Sequence, residues 1–210
     1  MRRAPAAPSP WKPRHERARD RAAKREAVIA AAARVFRTRG YHNTTLDDIA
    51  ASLHVTKPTL YYYLTSKEHI VFECYRAGIG RITAALAELV GSPACGRDKL
   101  ATLVRRYAEV MATDFGWCMV RVEDEELSEA MARRIRKLKS GIDQGIRTLL
   151  RDGMRDGSIA SCDPKMTAFA LAGALNWIGH WYRAEESLTP DEIAERFNEL
   201  FARGLAPRRA

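Results

Sequence analysis

The segment HVTKPTLYYYLTSKE, residues 54–68, sets three consecutive tyrosines between Lys57 and Lys67 on an element too short to bury them. Thr56 is placed to cap a short helix with Pro58 in its first turn, where N–H groups lack intrahelical partners anyway. Just upstream, Thr44 or Thr45, each followed three residues later by Asp47 or Asp48, caps another short helix. Its buried side reads Leu46, Ile49, Ala50 and Leu53. A tight turn at Leu53–Val55 joins the two. A longer helix precedes them, with Val28, Ala32, Val35 and Phe36 on one face and Gly40 as its C-terminal stop. Two short helices across a tight turn, braced by a third, make a helix-turn-helix.

The second helix of such a unit lies in the DNA major groove, with its N-terminal residues nearest the base edges. Leu60 is then the inward residue, packing with Ile49 and Val55. Thr56, Lys57 and Thr59 stand at the exposed N-terminus, and Tyr61, Tyr62 and Tyr63 point along the groove walls. A tyrosine hydroxyl hydrogen-bonds a phosphate without a counter-charge, and its ring packs on sugars or thymine methyls. Lys67 opens the next helix, where free N–H groups and the dipole also favour phosphate. Three adjacent residues cannot share one helix face, so the tyrosines are not simply a core cluster.

Residues 25–72, in particular AAARVFRTRGYHNTTLDDIAASLHVTKPTLYYYLTSKEHI, resemble the DNA-binding domain of the TetR family of bacterial regulators. The matching positions are Phe36, Gly40, Thr44-Thr45, Ile49-Ala50, Val55, Thr59-Leu60-Tyr61 and Ser66-Lys67-Glu68. The resemblance implies that Pro58, Thr59, Tyr61, Tyr62 and Tyr63 touch DNA while Thr45 and Lys67 hold phosphates. One departure stands in the turn, which in the family usually carries Gly between an apolar residue and Val; here it is Leu53-His54-Val55. Glycine supplies a positive φ there, and histidine is among the few side chains that tolerate one. The turn is expected to form with strain at His54.

Charge supports the same end of the chain. The formal net charge is +9 over 210 residues; residues 1–70 hold fourteen Lys/Arg against six Asp/Glu, and the remainder twenty-one against twenty. Such asymmetry directs one end to a polyanion. Four prolines among the first 13 residues predict an extended, disordered basic arm over residues 1–20. The N-terminus lacks the apolar segment of a secretory signal, and no apolar run reaches the ~20 residues of a membrane span. Cys74, Cys95, Cys118 and Cys162 show neither metal-site nor disulfide-scaffold spacing, which fits a reducing cytoplasm. No G-x-S-x-G, H-E-x-x-H or Walker loop is present. No catalytic residue, metal or cofactor is therefore assigned. The acidic run Glu123–Glu126 reads as solvated or paired with Arg133 and Arg134.

The chain is predicted all-helical, with a three-helix DNA-binding domain over residues 21–68 and an effector and dimerisation domain over 69–205. Thr65-Ser66-Lys67-Glu68 reads as a second capping box, opening a helix to about Val90. Helices follow at 98–112, at 115–122 (short and irregular), from Leu127 to the RDGMRDG break, at 164–183, and from Thr189-Pro190-Asp191-Glu192 to Gly204. The helix MTAFALAGALNWIGHWY, residues 166–182, is apolar on nearly all sides and must be covered on more than one face. A two-fold partner covers it if helices 164–183 and 190–203 of each chain form a four-helix bundle. Ala170, Gly173 and Ala174 permit close approach.

NWIGHWYR followed by LTPDEIAERF is similar to the C-terminal signature of TetR-family regulators of fatty-acid and steroid-ring catabolism, several of which respond to acyl-CoA thioesters. Such a ligand needs an apolar tunnel with cations at its mouth. Trp177 and Trp181 are the candidates for the wall, Arg183 and Arg121 for the phosphates, with Trp117 and Met119 beside Arg121. A double-stranded operator, a small hydrophobic effector, a second copy of the chain and no membrane are the expected partners. A regulator answering lipophilic cations and an effector-independent architectural DNA-binding protein are the competing readings.

Overall fold

The computed structural model describes residues 14–185 and 188–206, and every regular element among them is helical. The N-terminal unit consists of α1 (Arg14–Arg39), α2 (Leu46–Ser52) and α3 (Lys57–Tyr61). α1 begins inside the stretch assigned to a disordered arm, so residues 14–20 are helical; residues 1–13 lie outside the described residues. Its end is set by Gly40, at φ 80°, whose N–H returns to the carbonyl of Phe36 at 2.8 Å. α2 is started by a reciprocal cap: the Thr45 hydroxyl accepts from the Asp48 N–H while Asp48 accepts from the Thr45 N–H. Phe36, Ile49, Leu60 and Leu64 are fully buried together.

The turn after α2 passes through His54 at φ 54°, the one positive-φ residue other than glycine among those described. The N–H groups of Leu53 and Val55 both return to the carbonyl of Ala50, at 3.2 and 3.0 Å. This over-determined turn holds His54 in a conformation it would not choose. Val55, expected to pack on Leu60, is instead exposed, because the turn that satisfies its N–H points its side chain outward. α3 ends at Tyr61, so Tyr62 and Tyr63 occupy the turn that follows it.

α4 (Lys67–Val90) runs from this unit into the larger one. Its cap is Ser66, which accepts from the N–H of His69. The expected box between Thr65 and Glu68 does not form, because Glu68 accepts from the N–H of Ser128 instead. α5 (Gly96–Met111), α6 (Asp114–Arg121), a 3-10 turn (Asp124–Glu126), α7 (Glu129–Arg155), α8 (Pro164–Trp181) and α9 (Pro190–Leu205) complete the chain. α4 packs on α5, α6 and α7; α8 lies on α6 and α7, and α9 on α5. α6 is regular, since Thr113 caps it. α7 continues through the first Asp-Gly of RDGMRDG and stops before Gly157, whose φ of 76° supplies the turn. α9 runs through Gly204, expected as its stop. One apolar core extends unbroken from Val28 of α1 to Ala194 of α9.

Candidate nucleic-acid interface and effector region

α3 presents one face to the core and the rest to solvent. Leu60 is its buried residue, while Thr56, Lys57, Pro58, Thr59 and Tyr61 are all exposed. The Thr56 and Thr59 hydroxyls are 2.9 Å apart, so each holds the other in place. Lys57 Nζ lies 2.7 Å from Asp47 of α2, which raises the lysine pKa through that hydrogen bond and charge. Tyr62 is 63% exposed, and the half-buried Tyr63 meets it edge-on with ring centroids 5.1 Å apart. Of the three tyrosines, the first two are offered outward and the third anchors them.

Thr45 is exposed at the start of α2, its hydroxyl committed to Asp48. Lys67 is more enclosed than the sequence suggested. Its ammonium donates to the carbonyl of His42 at 3.2 Å and sits 4.2 Å from the centre of the Tyr41 ring. Burial lowers its pKa, against the opposing charge of Glu126. Of the expected DNA-facing residues, Thr45, Thr56, Lys57, Pro58, Thr59, Tyr61 and Tyr62 are exposed, while Tyr63 and Lys67 are partly buried. The basic segment of residues 1–24, expected from its charge to add affinity for DNA, meets this face at Arg21, whose guanidinium lies 4.8 Å over the Tyr62 ring; that contact has no signature in the sequence.

Polar contacts tie this unit to the larger one. Arg37 of α1 donates to Asp114 at the start of α6 and to the carbonyl of Tyr182, each at 3.1 Å. His42 contacts Glu126, so the acidic run pairs across the domain boundary. Among the described side chains, Arg133 binds Glu129 and Arg134 lies 4.0 Å over Phe72. The Tyr75 hydroxyl donates to the Val122 carbonyl at 2.8 Å. Glu73, buried on α4, takes Arg25 of α1 at 2.9 Å and Arg76 at 2.8 Å. Burial pushes its carboxyl upward, but the two guanidinium groups outweigh that and leave it below the usual range. Apart from Glu73–Arg76, three residues apart on one helix, these pairs have no local spacing signature, which is why the sequence did not reveal them.

The residues expected to hold an effector do not share one place. Met119 is buried and fills the space between α6 and α4: a Cβ at Gly78 would lie 2.4 Å from its sulfur. Trp117 is half-buried against the core. Arg121 is exposed at the end of α6, beside His180, whose pKa is lowered by burial first and by that arginine second. The His180 ring stacks on Trp177 at 4.6 Å. Trp177 and Trp181 are 61% and 40% exposed and do not wall a tunnel within one chain. The inward stripe of α8 is Ala168, Leu171, Leu175 and Ile178, which leaves the tryptophans on the opposite side. Arg183 donates to the Tyr182 carbonyl at 3.0 Å. Between α5 and α9, a pocket lined by Leu100, Val104, Ile159 and Phe201 holds only about 30 Å³, room for little more than water.

Residues 28–74 match the family described as "Bacterial regulatory proteins, tetR family", and residues 94–205 match "Tetracyclin repressor-like, C-terminal domain". The chain belongs to the TetR family. The "HTH-type transcriptional repressor KstR2" of Rhodococcus jostii (strain RHA1) is 29% identical over 188 residues, covering 87% of this chain and 91% of that one. The "Fatty acid metabolism regulator protein" of Bacillus subtilis (strain 168) is 23% identical over 181 residues, with 85% and 93% covered. Among solved structures, AibR "in complex with isovaleryl coenzyme A and operator DNA" superposes with a TM-score of 0.74 at 23% identity, covering 88% of this chain and 99% of that one. The TetR-family chain is thus a ligand-responsive, DNA-binding regulator of transcription and not an enzyme. No helix among its described residues is long and apolar enough to cross a membrane.

Proposed function

We propose that the protein is a homodimeric cytoplasmic repressor, bound to an inverted-repeat operator and released from it by an acyl-CoA thioester. The outward apolar stripe of α8 carries this reading. Met166, Phe169 and Trp177 are each half or more exposed, and Trp181 continues the stripe beyond them. The exposed Ala170 and Gly173 lie between them, and Leu200 of α9 is 62% exposed. A patch of this kind calls for cover, and a second copy offers the same patch in two-fold register. Two recognition helices then face successive major grooves about 34–36 Å apart. Thr56, Lys57, Pro58 and Thr59 meet base edges, Tyr61, Tyr62 and Tyr63 line the groove walls, and Thr45 and Lys67 approach phosphates.

The effector class is supported by chemistry and by kinship, since AibR is named with isovaleryl coenzyme A and the B. subtilis relative with fatty acid metabolism. Met119 and Trp117 offer an apolar site that opens when the flexible thioether moves. Arg121 and Arg183 stand at the surface as the cations for the CoA phosphates. Trp177 and Trp181, on the outward side of α8, belong to the dimer seam instead of the effector site. The ligand releases DNA only to the extent that it prefers a dimer with mis-spaced recognition helices.

Titrating acyl-CoA thioesters of increasing chain length into the protein–DNA complex tests this, with free CoA and a lipophilic cation alongside. Thioesters are expected to dissociate the complex while free CoA does not. Dissociation by the cation alone would overturn the thioester reading, and a monomer by light scattering at micromolar concentration would overturn the dimer.

A further inference from the structure

The family match begins at residue 28, yet α1 begins at Arg14. Fourteen residues of helix therefore precede the matched unit, roughly 21 Å at 1.5 Å per residue. Within the unit, Val28, Ala31 and Val35 form part of the buried face of α1. Traced back by three and four residues, the same stripe passes through Lys24 and Arg21, both exposed. In the sequence, Arg14 and Arg17 continue the interval. The face that packs into the domain becomes basic where the helix leaves it.

Arg21 does not hang free in solvent. Its guanidinium lies 4.8 Å over the ring of Tyr62, the residue that closes α3. A guanidinium held over an aromatic face by cation–π attraction still has N–H donors to offer, and phosphate oxygens are what such donors recognise. Arg25, one step further round the helix, is drawn instead to Glu73. Among the described residues no ion pair holds Arg21 or Lys24.

We propose that the first turns of α1 form a second DNA-contact surface, in which Arg21, stacked on Tyr62, and Lys24 grip backbone phosphates flanking the half-site faced by α3. The surface is continuous with the exposed face of α3 and opposite in charge to the duplex. It carries no base-reading geometry, so it lengthens the footprint without extending the recognised sequence. The proposal rests on the placement of α3 against DNA, and Tyr62 joins the two surfaces.

The test uses the full chain and the inverted repeat selected from a random-sequence pool. One duplex is trimmed to the repeat, and a second is extended on each side by about one helical turn, roughly 10 base pairs. Arg21→Gln and Lys24→Gln should each weaken binding to the extended duplex. Each should also flatten log affinity against log salt by about 0.9 for every phosphate left without its cation. Neither should change binding to the trimmed duplex. In a Tyr62→Ala background, Arg21→Gln should lose much of its effect, while Tyr62→Phe preserves it. Unaltered binding of Arg21→Gln and Lys24→Gln to the extended duplex overturns the proposal, as does equal weakening on both duplexes. If Lys57→Ala and Thr59→Ala leave the preferred sequence unchanged, the placement of α3 itself fails, and the flank surface with it.

Discussion

At the scale of single residues, His54 and Leu60 carry the DNA-reading turn in opposite ways. His54 holds a left-handed conformation because Leu53 and Val55 are both tied back to Ala50. Replacing it by glycine removes the side-chain penalty but adds unfolded-state entropy, so His54→Gly should stay within about 1 kcal/mol of the parent. His54→Val has no such compensation and should unfold at clearly lower denaturant, with m unchanged. Leu60 is the buried residue of α3. Leu60→Ala should cost about 2–5 kcal/mol and abolish operator binding, whereas Thr59→Ala, on the exposed side, should change sequence preference and leave the melting temperature nearly alone. Parallel melts and binding selections on these variants separate anchoring from reading. Lys67→Ala should lower affinity for every sequence alike and reduce the salt slope, because it removes a phosphate contact that carries no base information.

Among the elements, α1 and α4 are joined by an ion cluster with a defined pH signature. Glu73 titrates below its ordinary value of 4.5 because Arg25 and Arg76 outweigh its burial. A depressed carboxylate stabilises the fold above the unfolded pKa, and that contribution is lost as pH falls below about 4.5 through the folded value. Melting temperatures followed down the acid limb should therefore drop more steeply for the parent than for Glu73→Gln, which starts lower and has less to lose. α5 and α7 cross on glycines: a Cβ on Gly96 would lie 2.2 Å from the Cα of Gly153. Gly96→Ala should cost about 1–3 kcal/mol, read by chemical denaturation. The sequence disclosed the helices themselves well, because caps such as Thr45–Asp48 and Thr189–Glu192 are local and because α7 has a clean three–four apolar rhythm. It disclosed the phase of α8 poorly. That helix is apolar almost all round, so nothing in its pattern said that Trp177 and Trp181 face away from Leu171 and Leu175. Arg37 and Asp114 stand 77 residues apart, and no local rule pairs them. Nor does the sequence announce that Tyr62, in the turn after α3, receives Arg21.

For the whole molecule, the exposed stripe on α8 predicts a dependence of DNA binding on association. Trp177→Glu should place a charge in the covered seam and yield a monomer by light scattering. Operator affinity should fall because the two half-sites are no longer bound together, while helical content by circular dichroism is retained. A stable dimer in this variant would move the seam elsewhere. The Tyr182 carbonyl has a further consequence for how the two units communicate. It receives both Arg37 and Arg183 just past the end of α8, so movement of that helix reaches α1 through a main-chain oxygen. A backbone acceptor survives substitution of its own side chain. Scanning position 182 would therefore report the packing of its ring and leave the junction between the units untouched. At this contact the link can be cut from one side only, at Arg37, and a survey of effector-blind variants should find Arg37 populated and position 182 silent.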